Sequence, residues 1–374
     1  MGSSNLADQL LEVLLEARVE RIYGVVGDSL NPLVDAVHRI DGIEWVHVRN
    51  EEAGAFAAAA EAQLTGRLAV CAGSCGPGNT HLIQGLYDAH RTGAPVLAIA
   101  SQIPSVQVGL DFFQETHPER LFVECSSYCE LISQAGQMPR VARSAVQHAL
   151  GRRGVSVLAI SGDVLHRSPA TATRKSDVLV AKATSSPPAG QVRALAERLN
   201  QAETVTLFCG AGVEGAHAEV MELAGKLHSP IGHTLRGKEW IQYDNRYDVG
   251  MNGLLGYGAC YQATNHADLL VLLGTDFPYQ DFLPGRNTVQ VDHDATRLGR
   301  RTPLDLAVHG DVGATLRAVL PLVEQKADRS FLDHMLHKHA EALDHVVSAY
   351  TSDVEHHLPI HPEYAASILD EVAS

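Results

Sequence analysis

The sequence predicts an α/β protein: two doubly wound parallel-sheet domains followed by a C-terminal helical stub. Strand-sized apolar runs alternate with amphipathic helical windows, the pattern of parallel strands joined by crossover helices. Aromatic residues make up only 5% while glycines number 32, which suits close helix-on-sheet layers better than aromatic-rich sandwiches. A length of 374 residues, at about 150 per domain, gives two to three domains. The 45% hydrophobic and 20% charged content supplies several cores and excludes a disordered chain.

The first strands are expected at 21–26, 67–72, 95–101 and 155–161, the first two running into glycine-rich turns and then helices. Asn31 before Pro32 marks a helix start, because Asn caps free amides and Pro in the first turn loses no hydrogen bond. A second start is expected at Asn79/Thr80, after Ser74-Cys-Gly-Pro-Gly78. Residues 168–173 and 184–190 have linker composition and place a boundary near Ser185. Beyond it, a second α/β unit is expected from a helix at 191–201, a strand at 204–208 and a helix at 215–227. Strands at 268–273 and 288–292 and a helix at 313–323 complete it. A polar helix at 328–350 and a last helix at 362–372 follow, giving segments 1–184, 185–328 and 329–374.

The net charge of −15 disfavours nucleic acid as a partner, since phosphate binding needs a basic field. No apolar run long enough to span a bilayer and no basic leader precede the first helix, so a cytoplasmic location is expected. Six cysteines are too few for a disulfide framework. The pairs Cys71/Cys75 and Cys125/Cys129 share a C-x-x-x-C spacing, but buried apolar thiols explain them better than a zinc site. His334, His337 and His339 are read as a solvated helix face, so no metal ligand is assigned.

The first chemical candidate is Glu51, followed from Ala53 to Ala60 by almost nothing but small residues. An acid at a helix start is ordinarily a favourable charge on the helix dipole. A helix this bare, however, admits another backbone or a flat ligand at close range. Gly24-Val-Val-Gly-Asp-Ser-Leu-Asn-Pro32, Arg49-Asn-Glu-Glu-Ala-Gly-Ala-Phe56 and Gly73-Ser-Cys-Gly-Pro-Gly-Asn79 together resemble the pyrimidine-binding domain of thiamine-diphosphate enzymes. Leu86-Tyr-Asp-Ala89, Ala94-Pro-Val-Leu-Ala-Ile99 and Asp111-Phe-Phe-Gln-Glu115 continue the resemblance in order.

The resemblance implies that Glu51 hydrogen-bonds N1′ of the cofactor's aminopyrimidine, promoting loss of the thiazolium C2 proton. A carboxylate among apolar neighbours tends to keep a proton it can share with a ring nitrogen. By the same resemblance Gly27, Asp28, Gly76, Pro77 and Gly78 contribute to cofactor binding, while Phe113 and Gln114 line the substrate pocket. Asn50 stands where the family often has His.

The second unit contains a G-x-G-x-x-G, from Gly210 through Gly212 to Gly215, but no acid follows at the distance expected for a NAD ribose. Gly250-Met-Asn-Gly-Leu-Leu-Gly256, Leu273-Gly-Thr-Asp-Phe-Pro-Tyr279, Val289-Gln-Val-Asp-His-Asp294 and Gly310-Asp-Val312 resemble instead the FAD-binding central domain of pyruvate oxidases and pyruvate:quinone dehydrogenases. That likeness implies FAD contacts from Gly210, Gly212, Met251, Asn252, Gly253, Leu254, Gly274, Thr275, Asp276, Phe277, Pro278, Asp292 and Asp311. Acetolactate synthases are the rival. Their Gly-x-Arg-Phe-Asp-Asp-Arg stretch is Gly274-Thr-Asp-Phe-Pro-Tyr279 here, and their Lys-His pair is replaced within Ser126-Ser-Tyr-Cys129.

The family binds diphosphate and Mg²⁺ through Gly-Asp-Gly followed by Asn-Asn in a third domain. Gly27-Asp28, Gly162-Asp163 and Gly310-Asp311 lack the second Gly, and no Asn-Asn pair occurs. Pro359-Ile-His-Pro-Glu-Tyr-Ala365 resembles the opening helix of that domain, so the chain reads as a truncated form. The resemblance implies that the complete enzyme decarboxylates pyruvate oxidatively, passing electrons through FAD to a quinone or O₂. It also implies a homo-oligomer, dimer or tetramer, peripheral at the inner face of the cell membrane through a C-terminal segment missing here. An inactive FAD-binding or interaction module is the non-enzymatic alternative.

Overall fold

A computed structural model describes residues 4–170 and 184–373. Residues 171–173, the end of the first expected linker, lie outside the described residues. The chain divides into two units, Met1–Lys182 and Ala183–Ser374.

The first unit is built on six strands: β1 (Arg21–Gly24), β2 (Glu44–His47), β3 (Ala69–Gly73), β4 (Val96–Gln102), β5 (Tyr128–Ile132) and β6 (Val155–Ser161). They lie in the order β2-β1-β3-β4-β6-β5 with every pairing parallel. Every residue of β3, β4 and β6 is buried, which explains their largely apolar composition, with Ser101, Gln102, Ser156 and Ser161 as buried polar members. Strands β2 and β5 sit at the sheet edges with Glu44, His47 and Glu130 exposed, and so carry no such run. The sheet is covered on both faces. Val70, Ala72, Leu97 and Ile99 join a core with the helices Leu6–Glu16, Asn31–Arg39 and Arg140–Arg152. The alternate residues Ala69, Cys71, Val96 and Ala98 join another with Glu51–Thr65 and Pro77–Thr92.

Two helix starts differ from the sequence reading. Leu30 is the N-cap of the helix that begins at Asn31, and no side chain caps it; Pro32, in the first turn, suffices to begin it. The next helix begins at Pro77 rather than Asn79, because Gly76 takes a left-handed φ of 68° that L side chains rarely adopt. Asn79 is thereby free to turn inward, donating to the Ser101 carbonyl at 2.7 Å.

The small residues after Glu51 serve first the domain's own packing. Gly54, Ala55, Ala58, Ala59 and Ala62 are buried, and a Cβ on Gly85 of the facing helix would fall 2.5 Å from Ala55 Cβ. Ala53, Phe56 and Ala60 remain exposed on the other side.

The second unit has β7 (Val205–Cys209), β8 (Ile231–His233), β9 (Asp248–Met251), β10 (Tyr257–Gly258), β11 (Leu269–Leu273), β12 (Thr288–Asp292) and β13 (Leu306–His309), ordered β10-β9-β8-β7-β11-β12-β13. Only β10 is antiparallel, a short hairpin partner at the edge. Without it the order is third, second, first, fourth, fifth, sixth, the dinucleotide-binding arrangement, whose ligand crevice opens between the first and fourth strands, here β7 and β11.

The helix Ser330–Thr351 belongs to this unit, with Leu332 and Met335 buried in its cores. His334 and His337 are exposed, as a solvated face requires. His339 is not: its ring seats against Gly250 and Gly258, where any Cβ would strike it.

Cys71, Cys75 and Cys125 are buried, and half-buried Cys129 donates to the Pro118 carbonyl at 3.4 Å. Burial pushes the Cys71 thiol up to about 12, Cys129 to about 12 and Cys125 to about 11. Among the described residues no group of three or more His, Cys, Asp or Glu converges to hold an ion. Nor, among them, is any helix long and apolar enough to cross a membrane.

Replacing Gly85 by Val tests the helix contact: overpacking against Ala55 and the Phe56 backbone should destabilise by about 1–3 kcal/mol. A lowered denaturant midpoint is expected, and an unchanged one contradicts the packing.

Candidate cofactor sites at the two sheet edges

In the first unit the turns after β1 and β3 meet at the carboxyl edge of the sheet. Ser29 and Ser74 share a 2.8 Å hydrogen bond between their hydroxyls. The Cys75 N–H donates to Ser29 Oγ, and Ser101 Oγ donates to the Ser29 carbonyl. Gly27 lies so close to Ser74 that no Cβ fits. Asp28, in contrast, is exposed and accepts the N–H of Ser29, a local turn contact.

Glu51 opens its helix, with Asn50 as N-cap accepting the Glu52 N–H at 2.8 Å. Asn50 thus has a structural task that a short Asx side chain performs well. Glu51 itself is 8% exposed. Its carboxylate is clasped by one face of the helix Pro77–Thr92. A Cβ on Gly78 would fall 3.0 Å from Oε1, and His81 Nδ1 lies 3.1 Å from Oε2. Gly78 and His81 are three apart, so they share that face. His81 was missed by sequence reasoning. Its spacing from Gly78 was the available signal, but only the pairing of the two helices brings it to Glu51.

Gln114 rests on the Gly76 turn, with Cβ 3.1 Å from where a Gly76 Cβ would stand, whereas neighbouring Phe113 is 85% exposed. Pro77 starts the helix, and buried Asn79 leaves its Oδ1 without a partner. Glu51, Gly76, Gly78 and Gln114 are therefore brought together; Asp28 and Phe113 face solvent.

In the second unit the turns after β7 and β11 interlock. Gly210 N–H donates to the Leu273 carbonyl and Gly212 N–H to the Gly274 carbonyl, both at 2.9 Å. A Cβ on Gly212 would stand 2.6 Å from Gly274 Cα, and one on Gly210 would meet Thr275. These glycines put two backbones at the crevice mouth. Gly215 differs: its φ is +72° and nothing lies near its missing side chain, so it is a turn residue rather than the close-packing third glycine of a dinucleotide fingerprint.

Asn252 is 4% exposed and tied to Phe282, Thr264 and its own turn at Gly253. The rings of Phe277 and Tyr279 lie 3.2–3.4 Å from a Gly253 Cβ position, and Phe277 packs edge-on against Phe208. Met251 is buried, while Leu254 and Pro278 are exposed.

Two of the acids have local structural tasks. Asp276 pairs with Arg300 and Arg301 at 2.9 Å each, pinning the loop after β12, and Asp311 caps the helix Val312–Val319 by accepting the Ala314 N–H. Asp292 is the exception. It ends β12 at 1% exposure, its Oδ1 accepts the Asp294 N–H, and its Oδ2 has no partner. Burial holds its carboxyl above the usual range. A buried acceptor without a donor, beside a glycine cradle at the switch point, fits a ribose or adenine group.

Comparison with known proteins agrees with this architecture. Residues 4–121 match the thiamine pyrophosphate enzyme N-terminal TPP-binding domain, and 192–319 match the thiamine pyrophosphate enzyme central domain. The chain belongs to the family of thiamine pyrophosphate (diphosphate)-dependent enzymes. An uncharacterised 42.6 kDa protein of Pseudomonas amyloderamosa is 51% identical over 93% of this chain and 89% of its own length. YdaP of Bacillus subtilis, named as thiamine pyrophosphate-containing, is 33% identical over the whole chain and 65% of its own length. The pyruvate oxidase of Lactiplantibacillus plantarum is 32% identical over 85% of this chain, and acetolactate synthase isozyme 1 of Escherichia coli 28% over 85%. The chain spans only 54% and 58% of these last two.

The state of Asp292 has a pH consequence. Its folded pKa is raised, so its contribution to stability is present below the unfolded value and lost as pH rises through the folded one. Asp292→Asn should therefore raise the melting midpoint of the nucleotide-free chain at pH 7 and lose that gain in acid, below about pH 4. A midpoint lowered equally at both pH values would show that burial imposes no penalty on this carboxylate.

Proposed function

We propose that this chain forms the pyrimidine-binding and flavin-binding part of a thiamine-diphosphate enzyme that oxidatively decarboxylates pyruvate. The observation that carries the reading is Glu51, a buried carboxylate at a helix start, held between a glycine and a histidine beside two stitched turns. When bound, thiamine diphosphate supplies a carbon that adds to a 2-oxo acid and accepts the electron pair left by CO₂, and flavin accepts two electrons.

Glu51 would hold the aminopyrimidine by sharing a proton with its ring nitrogen, with Gly27, Gly76 and Gly78 keeping the approach clear of side chains. Gln114 would border the substrate. Gly212, Gly274, Thr275, Asn252 and Asp292 would hold FAD, Asp292 offering its unpartnered oxygen to a hydroxyl or amino donor. The diphosphate and Mg²⁺ would be bound by a third domain of the complete enzyme. A quinone as final acceptor, assembly into a dimer or tetramer and peripheral attachment to the membrane belong to the same proposal.

Gly274-Thr-Asp-Phe-Pro-Tyr279, and Ser126-Ser-Tyr-Cys129 in place of a Lys-His pair, support oxidation over carboligation. The similar distance of the acetolactate synthases makes carboligation the second reading.

Titration with FAD followed by gel filtration should leave a yellow chain; a colourless protein that cannot be reconstituted contradicts the flavin assignment. In the complete enzyme, pyruvate should bleach the flavin anaerobically, whereas acetolactate formation without net bleaching would select the second reading. Glu51→Gln there should slow C2 proton exchange of the cofactor by at least about 10²-fold while leaving flavin binding unchanged, because an amide cannot pass a proton to the ring nitrogen. Near-normal exchange removes Glu51 from the chemistry.

A further inference from the structure

We propose that His81 is a proton relay between solvent and Glu51, a positioning and exchange residue acting through that carboxylate. The inference rests on the reading of Glu51 as a group that gains and loses a proton. A carboxylate only 8% exposed has poor direct access to water. Among the described residues, the only side chain that hydrogen-bonds the Glu51 carboxylate is His81, whose Nδ1 lies 3.1 Å from Oε2. The His81 side chain is 50% exposed while that of Glu51 is 10% exposed, so the imidazole bridges a buried oxygen and bulk water.

The helix places it there. Gly78 lets the carboxylate lie against the first turn, and His81, one turn on, meets the second oxygen. One oxygen is thus committed to the ring, while the other lies against Gly78.

In the relay, neutral His81 carries its proton on Nδ1. The Nδ1–H bond breaks as Oε2–H forms, while Nε2 takes a proton from a buffer acid, whose conjugate base keeps the bonding pair. The carboxylate becomes a carboxylic acid, and the ring stays neutral as the other tautomer. The reverse passage returns the proton to solvent. No oxidant or further reactant is required.

Relay and simple positioning predict different outcomes. His81→Gln keeps an amide donor for Oε2 but cannot pass a proton, whereas His81→Ala removes both functions. The proton-exchange rate of Glu51 is read from ¹³C relaxation dispersion of its carboxyl carbon at the midpoint of its titration, in the chain without cofactor. It should fall at least about tenfold in both variants, and added imidazole should restore it in His81→Ala. ¹⁵N shifts of His81 in the unsubstituted chain should report the Nδ1–H tautomer and should move in Glu51→Gln.

An undiminished rate in His81→Gln, or no rescue by imidazole, overturns the relay and leaves only positioning. Correct relay behaviour in a chain that never binds thiamine diphosphate, alone or as the complete enzyme, would instead sink the proposed function and leave the relay standing.

Discussion

At the carboxyl edges of both sheets, two backbone turns approach one another more closely than a side chain allows. In the first unit Gly27 faces Ser74, with the Ser29–Ser74 hydrogen bond closing the seam; in the second Gly210 and Gly212 face Gly274. Strand exchange across the switch point brings the turns together, and the missing Cβ atoms let them touch. Everything proposed for function stands on these two seams. Moving either turn outward by the width of a methyl group would shift the start of the helix that clasps Glu51, or open the mouth beside Asp292.

The two buried acids are placed differently, and the difference matters chemically. Glu51 has a helix start at its back and an imidazole, itself half-exposed, at one oxygen. Asp292 has one backbone donor and an oxygen with none, so burial disfavours its charge. The first arrangement suits a group that moves a proton; the second suits one that waits for a ligand's donor. Asp276 and Asp311, equally prominent in the sequence, are engaged in holding a loop and a helix end.

Family membership and structure meet at the level of architecture: an all-parallel first unit carrying the acid, and a second unit in dinucleotide-binding order. The likeness to pyruvate oxidase and that to acetolactate synthase each extend over 85% of the chain at similar identity, so overall identity does not separate oxidation from carboligation.

The sequence by itself determined β1, β3, β4, β6, β7, β11 and β12, because strands covered by helices on both faces are rich in apolar residues even where a buried Ser156, Thr206 or Gln290 interrupts them. It located the glycine turns as well, and Glu51 at the start of its helix. It did not reveal β2, β5, β8, β9 or β13, which are short or lie toward the sheet edges with mixed faces, nor the helix cap formed by Leu30. Only the tertiary structure placed His81 on Glu51, turned the small-residue helix inward against Gly85, drew His339 out of solvent between Gly250 and Gly258, and left one oxygen of Asp292 unpartnered. Each depends on which residues from distant parts of the chain become neighbours, a relation that periodicity and local propensity do not encode.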